Sequence, residues 1–86
     1  MKRDEVLETV KKLMGKVMMT LSHAQVKEED RLIDDLGMDS MAAVDLVFAL
    51  EDNYQIQITD EEAGNVKTVH EVIDLVLQKV EGSATS

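Results

Sequence analysis

Ser40, directly preceded by Asp39, opens a predicted helix in a chain of 86 residues that contains no Cys. A serine hydroxyl attacks as a nucleophile only when an adjacent base takes its proton. The chain has two histidines, His23 and His70, and neither lies in a triad or in a Gly-x-Ser-x-Gly context. The Asp34-Asp35-Leu36-Gly37-Met38-Asp39 stretch lacks the alternating ligands and terminal Glu of a calcium loop. Without Cys there is no thiolate nucleophile and no Cys-based zinc or iron–sulfur site, and no Gly-rich phosphate loop is present. Self-contained catalysis and a metal centre are therefore not expected. Ser40 is left with two readings: a plain helix cap, or a hydroxyl that another enzyme modifies.

The surroundings of Ser40 are strongly acidic. The chain carries 18 acidic and 9 basic side chains, a formal net charge of −9. Residues 28–62 hold twelve acids against one base, Arg31, which is −11, while the two ends are nearly balanced. Nucleic acid is disfavoured, because phosphate backbones need Lys and Arg to displace counterions. Anionic membrane surfaces are disfavoured for the same reason. The longest unbroken apolar run, Leu46 to Leu50, is far short of the roughly 20 residues that span a bilayer. No signal peptide is visible, since Lys2 and Arg3 are followed by Asp4 and Glu5. One small cytoplasmic domain, monomeric and drawn to basic partners, is expected.

The elements that position Ser40 follow from periodicity. Val6, Val10, Leu13, Met14, Val17, Met18 and Leu21 form one stripe on an amphipathic helix from about residue 4, with Asp4 as N-cap. Residues 22–38 have no sustained period; Val26, Leu32, Ile33, Leu36 and Met38 can anchor this long loop. A second helix runs from about Ser40 to Tyr54, capped by Asp39 or Ser40. Gln55-Ile56-Gln57-Ile58 reads as an extended connection that buries one of its two Ile side chains. Thr59 to Glu62 is a capping box for a short helix stopped by Gly64 and Asn65. Thr68 to Glu71 is a second box, opening a last helix striped by Val69, Val72, Ile73, Val76 and Val80 and capped by Gly82. The expected fold is all-α: an antiparallel four-helix bundle with three main helices, one short helix and a long first loop. Residues 1–81 form the domain and 82–86 a flexible tail.

The second helix has two apolar faces. On a helical wheel Ala43, Leu46, Val47, Leu50 and Tyr54 fall within an arc of about 100°, enough to face a core. Met41, Val44 and Phe48 fall on a different arc, flanked by Asp45, Glu51 and Asp52. Either the helix is buried on most of its surface, or the second arc is a docking site. Its acids would steer a basic partner that the apolar residues then hold.

Asp34 to Met41, DDLGMDSM, resembles the attachment motif of acyl carrier proteins, Leu-Gly-x-Asp-Ser-Leu. The resemblance extends through VKKLMG at 10–15, VDLVFALEDNY at 44–54, ITDEEA at 58–63 and TVHEVID at 68–74. It implies a carrier and not an enzyme. Ser40, with Asp39 beside it, would receive 4′-phosphopantetheine from coenzyme A through a phosphopantetheinyl transferase. The arm would then bear acyl groups as thioesters, and its thiol would account for the absence of Cys. Met41, Val44, Asp45, Phe48, Glu51 and Asp52 would dock acyl transferase, ketosynthase and related enzymes of fatty acid or polyketide-type biosynthesis. Leu32, Ile33, Leu36, Ala43, Leu50, Ala63, Val66 and Val72 would line an acyl pocket. The chain departs from the family pattern at Met41 for Leu, Ala42 for an acidic residue, Thr59 for Pro, and the Gly64-Asn65-Val66-Lys67 end of the short helix. As a short chain it resembles a dissociated system. The competing expectation is an unmodified acidic adaptor that binds basic partners through the second helix; a small hydrolase ranks third.

Overall fold

The computed structural model describes residues 2–18 and 26–85, without the side chains of 82–85. Four helices follow in order: α1 (Arg3–Val17), α2 (Ser40–Tyr54), α3 (Asp60–Asn65) and α4 (Val69–Thr85). The expected helical bundle of three main helices and one short one is the observed architecture. Leu21 and His23 lie outside the described residues, as do the side chains of the expected tail.

Helix α1 begins at Arg3, one residue before the expected cap. Lys2 occupies the N-cap position and makes no capping side-chain bond, while Asp4 and Glu5 lie in the first turn, where acids suit the helix dipole. The stripe is buried at Val6, Val10 and Met14. Both capping boxes form. Thr59 accepts from the Glu62 amide at 3.1 Å while Glu62 accepts from the Thr59 amide at 3.0 Å. The Glu71 amide donates to Thr68 Oγ1 at 3.2 Å and Glu71 Oε1 accepts from the Thr68 amide at 3.1 Å. Each box satisfies amide donors that the first turn leaves free.

Two expectations about chain direction are corrected. Helix α4 continues through Gly82 to Thr85 instead of ending at Gly82. Glycine lowers helix propensity by about 1 kcal/mol without breaking the ladder, and no Pro follows it. In the connection after α2, Ile56 and Ile58 are both buried. Residues two apart in an extended segment point to the same face, so burying one buries the other. The turn into this connection is made by Gln55, in the left-handed region at φ 56°, whose amide Nε2 donates to the Asp52 carbonyl at 2.7 Å.

The core joins Val6, Val10 and Met14 of α1 to Leu46 and Leu50 of α2 and to Val69, Val72, Ile73 and Val76 of α4. The long loop is part of it through Val26, Leu32 and Met38. Its backbone is also sewn to the start of α4: the Val69 amide donates to the Asp30 carbonyl at 3.1 Å, and His70 to Glu28 at 2.8 Å. Leu32 donates to the Lys67 carbonyl at 2.9 Å, beside an isolated bridge between Arg31 and Thr68. The loop therefore closes two of the donors at the α4 N-terminus, which is why a segment without a helical period still holds one shape.

Candidate functional site

Ser40 is set by the turn before it. Arg31 to Leu36 winds into a tight turn in which Asp35 Oδ2 accepts from the Arg31 amide at 2.7 Å. The Met38 amide returns to the Leu32 carbonyl at 2.9 Å. Gly37 lies between them at φ 72°, a backbone conformation that side chains with a Cβ resist. Met38 is buried, so the chain emerges from the core at Asp39. Asp39 is the N-cap of α2, with Oδ1 accepting from the Ala42 amide at 2.8 Å. Of the two possible caps it is the one used. Ser40 is left exposed as the first helical residue, and its hydroxyl makes no hydrogen bond among the described residues.

The two faces of α2 separate as the wheel predicts. Leu46 and Leu50 are buried, and Ala43, Val47 and Tyr54 pack against the core. Met41 is 76% exposed, Phe48 63% and Val44 50%. The reading in which α2 is buried on most of its surface therefore falls. Asp45 and Asp52 are exposed, with no ion pair among the described residues. Glu51 differs from them. It is half-buried, and its Oε2 accepts from the Ile58 amide at 2.9 Å, which ties the α2–α3 connection to α2.

Beside Ser40 lies a groove of about 880 Å³ between the loop, α2, α3 and the start of α4. Ser40 borders it, and so do Leu32, Ile33, Ala43, Leu50, Ala63, Val66 and Val72 of the expected acyl pocket. Leu36 is half-buried and lies off the lining. Ile33 is at the rim and 71% exposed, so it neither anchors the loop nor fills the interior. Met38, Leu46, Val47, Ile58 and Leu75 also line the groove. Periodicity assigns Leu46 and Val47 to the core, and only the fold shows that the groove reaches all five.

One cluster could not be read from sequence. Arg3 Nε and Nη2 reach Glu28 Oε1 at 3.0 and 2.8 Å, and Nη1 reaches Asp74 Oδ1 at 2.6 Å. His70 lies among them, with Nδ1 2.8 Å from Arg3 Nη2 and Nε2 3.1 Å from Asp74 Oδ2. Arg3 thereby holds the Glu28 carboxyl below the ordinary carboxylate range, chiefly by hydrogen bonding. The i,i+4 spacing of His70 and Asp74 was visible; their meeting with Arg3 and Glu28 depends on the bundle. Both ring nitrogens of His70 are engaged here, so this histidine is not presented as a base to Ser40. At the other end of α4, Lys79 pairs with Glu62 of α3 at 2.8 Å and holds that carboxyl low.

Comparison with known proteins decides between carrier and adaptor. A family model described as "Phosphopantetheine attachment site" matches residues 5–76. An acyl carrier protein of Chlorobium luteolum is 36% identical over 77 residues, which is 90% of this chain and 92% of that protein. The chain belongs to the acyl carrier protein family.

Solved acyl carrier proteins share the fold. The one from Thermotoga maritima superposes with a TM-score of 0.83 at 30% identity, covering 95% of this chain and 94% of that one. The one from Enterococcus faecalis gives a TM-score of 0.74 at 32% identity, covering 92% and 99%. An acyl carrier protein bears acyl groups and leaves their chemistry to other enzymes, and its prosthetic group is 4′-phosphopantetheine. The carrier's own residues fit that group: an exposed serine hydroxyl, without a hydrogen bond among the described residues, stands at a helix N-terminus, on the border of an apolar-walled groove. Among the described residues no helix is long and apolar enough to cross a membrane.

Proposed function

We propose that Ser40 is the residue that receives the arm and that the surfaces around it divide the remaining work. The observation that carries this reading is the exposed Ser40 hydroxyl, set by the Asp39 cap between a groove and an apolar helix face. In the attachment, carried out by a separate transferase, Ser40 Oγ forms a phosphodiester at the β-phosphate of coenzyme A. Adenosine 3′,5′-bisphosphate leaves, and the hydroxyl proton goes to a base of the transferase. The bound arm supplies a terminal thiol for thioester formation.

The chain's own residues then do three things. Asp39 fixes the start of α2, so that Ser40 always departs from the same place. Leu32, Ala43, Leu50, Ala63, Val66 and Val72 offer an apolar lining in which a hydrocarbon chain is shielded from water. Met41, Val44 and Phe48 present an apolar centre, with Asp45, Glu51 and Asp52 as the charged rim that attracts Lys- and Arg-rich partner surfaces. Those partners are a phosphopantetheinyl transferase, an acyl transferase and a ketosynthase of fatty acid or polyketide-type biosynthesis. Asp39 before Ser40 favours these over peptide-synthetase partners. The carrier acts in the cytoplasm as a monomer, its charge of −9 opposing self-association.

The test is intact mass after incubation with coenzyme A and a broad-specificity phosphopantetheinyl transferase. Addition of one phosphopantetheine to the wild type and none to Ser40→Ala is expected. A gain that survives Ser40→Ala would overturn the assignment.

A further inference from the structure

Ile33 is an apolar, β-branched side chain displayed to solvent by a rigid turn. Leu32 and Met38 on either side are buried, Leu36 is half-buried, and the Arg31–Asp35 and Met38–Leu32 hydrogen bonds hold the backbone between them. The turn therefore cannot roll Ile33 inward without pulling Leu32 out of the core. At 71% exposure it matches Met41 and Phe48 and not the core. It also borders the same groove as Ser40, Val44 and Phe48, so it stands on the rim around the Ser40 mouth.

We infer that Ile33 is the loop-borne part of the partner-docking surface, and that the enzyme which forms the phosphodiester at Ser40 seats an apolar contact on it. This deepens the carrier reading and rests on it. The occupant is an enzyme face with an apolar centre and a Lys- and Arg-rich rim. Ile33 is followed by exposed Asp34 and Asp35, and Asp45 and Asp52 stand exposed on α2 beside the other exposed apolar residues. A second copy of this chain would bring the same acids together and be repelled. A partner that reaches Ser40 across α2 alone would leave Ile33 wet. One that grips both α2 and the loop also fixes the direction from which Ser40 is approached.

The experiment uses the unmodified protein, in which no arm or acyl group exists for Ile33 to cover. Initial rates of phosphopantetheine transfer from coenzyme A are measured over a range of carrier concentrations for wild type, Ile33→Asn and Ile33→Leu. Ile33→Asn leaves the charge unchanged. Loss of an apolar interface contact of ordinary weight lowers kcat/KM about tenfold, through KM. Ile33→Leu stays within about twofold of wild type, and the melting temperature of Ile33→Asn stays within a few degrees, as expected for an exposed site. Transfer to Ile33→Asn at the wild-type rate overturns the inference and leaves the carrier reading standing. Failure of the wild type to be modified at Ser40 overturns both.

Discussion

Replacing Asp39 separates its two properties, a hydrogen-bond acceptor and a charge. In the structure Oδ1 accepts from the Ala42 amide at 2.8 Å and closes one of the donors that open α2. Asp39→Ala leaves that donor to water and costs about 1 kcal/mol. For a domain of this size, that lowers the melting temperature by about 4–8 °C. Asp39→Asn keeps the acceptor, and Asn caps about as well as Asp. It gives up the interaction of a negative charge with the helix dipole, worth roughly 0.3–1 kcal/mol. It also removes one acid from a surface that already repels itself, and the two effects oppose each other. The expected order is wild type close to Asp39→Asn, with Asp39→Ala clearly below. Thermal unfolding followed by circular dichroism at fixed ionic strength reads it. Because Ser40 is the first residue of the helix that Asp39 caps, transfer of the arm to Asp39→Ala should slow as well. An Ala variant that melts with wild type, or an Asn variant that melts with Ala, would refute the capping argument.

Three further outcomes are expected. Ile73→Ala empties a fully buried position on α4 and costs about 2–5 kcal/mol, a large part of the 4–13 kcal/mol that about 0.05–0.15 kcal/mol per residue gives this chain; urea titration should show a much lower midpoint. Glu28 has its pKa lowered by Arg3, so the pair stabilises the fold above the ordinary carboxylate range and loses that contribution as pH falls through the depressed value. The stability gap between wild type and Arg3→Ala, measured by denaturant titration at each pH, should therefore be full above the ordinary carboxylate range and narrow as pH falls through and below it. Asp52→Lys should slow capture of basic partner enzymes most strongly at low salt, whereas Glu51→Lys should also lower the melting temperature because Glu51 accepts from Ile58; stopped-flow association rates and melting curves together distinguish the two.

Local chemistry carried much of this molecule. The helical stripes, both capping boxes and the split faces of α2 are properties of residues three or four apart, and they stand where spacing put them except at the end of the first stripe, where α1 stops at Val17 and Met18 is its non-helical C-cap. Ile33 shows where such reasoning stops. Its hydrophobicity suggested burial, but a turn closed by Asp35 and by the Met38–Leu32 hydrogen bond decides which way it faces. Glu51 is a similar case: on the wheel it flanks Asp52, yet its carboxylate reaches seven residues ahead to the Ile58 amide. The Arg3–Glu28–His70–Asp74 cluster joins residues up to 71 apart and exists only once α1, the loop and α4 have packed. The groove beside Ser40 likewise belongs to the packing of four segments and to none of them singly.

The most direct test is peptide mapping by mass spectrometry of the protein purified from the cell that produces it, alongside a strain carrying Ser40→Ala. The carrier account predicts a phosphopantetheine, free or acylated, on the peptide that contains Ser40, and loss of cellular function in the Ser40→Ala strain. An unmodified Ser40 together with full function in that strain would contradict it.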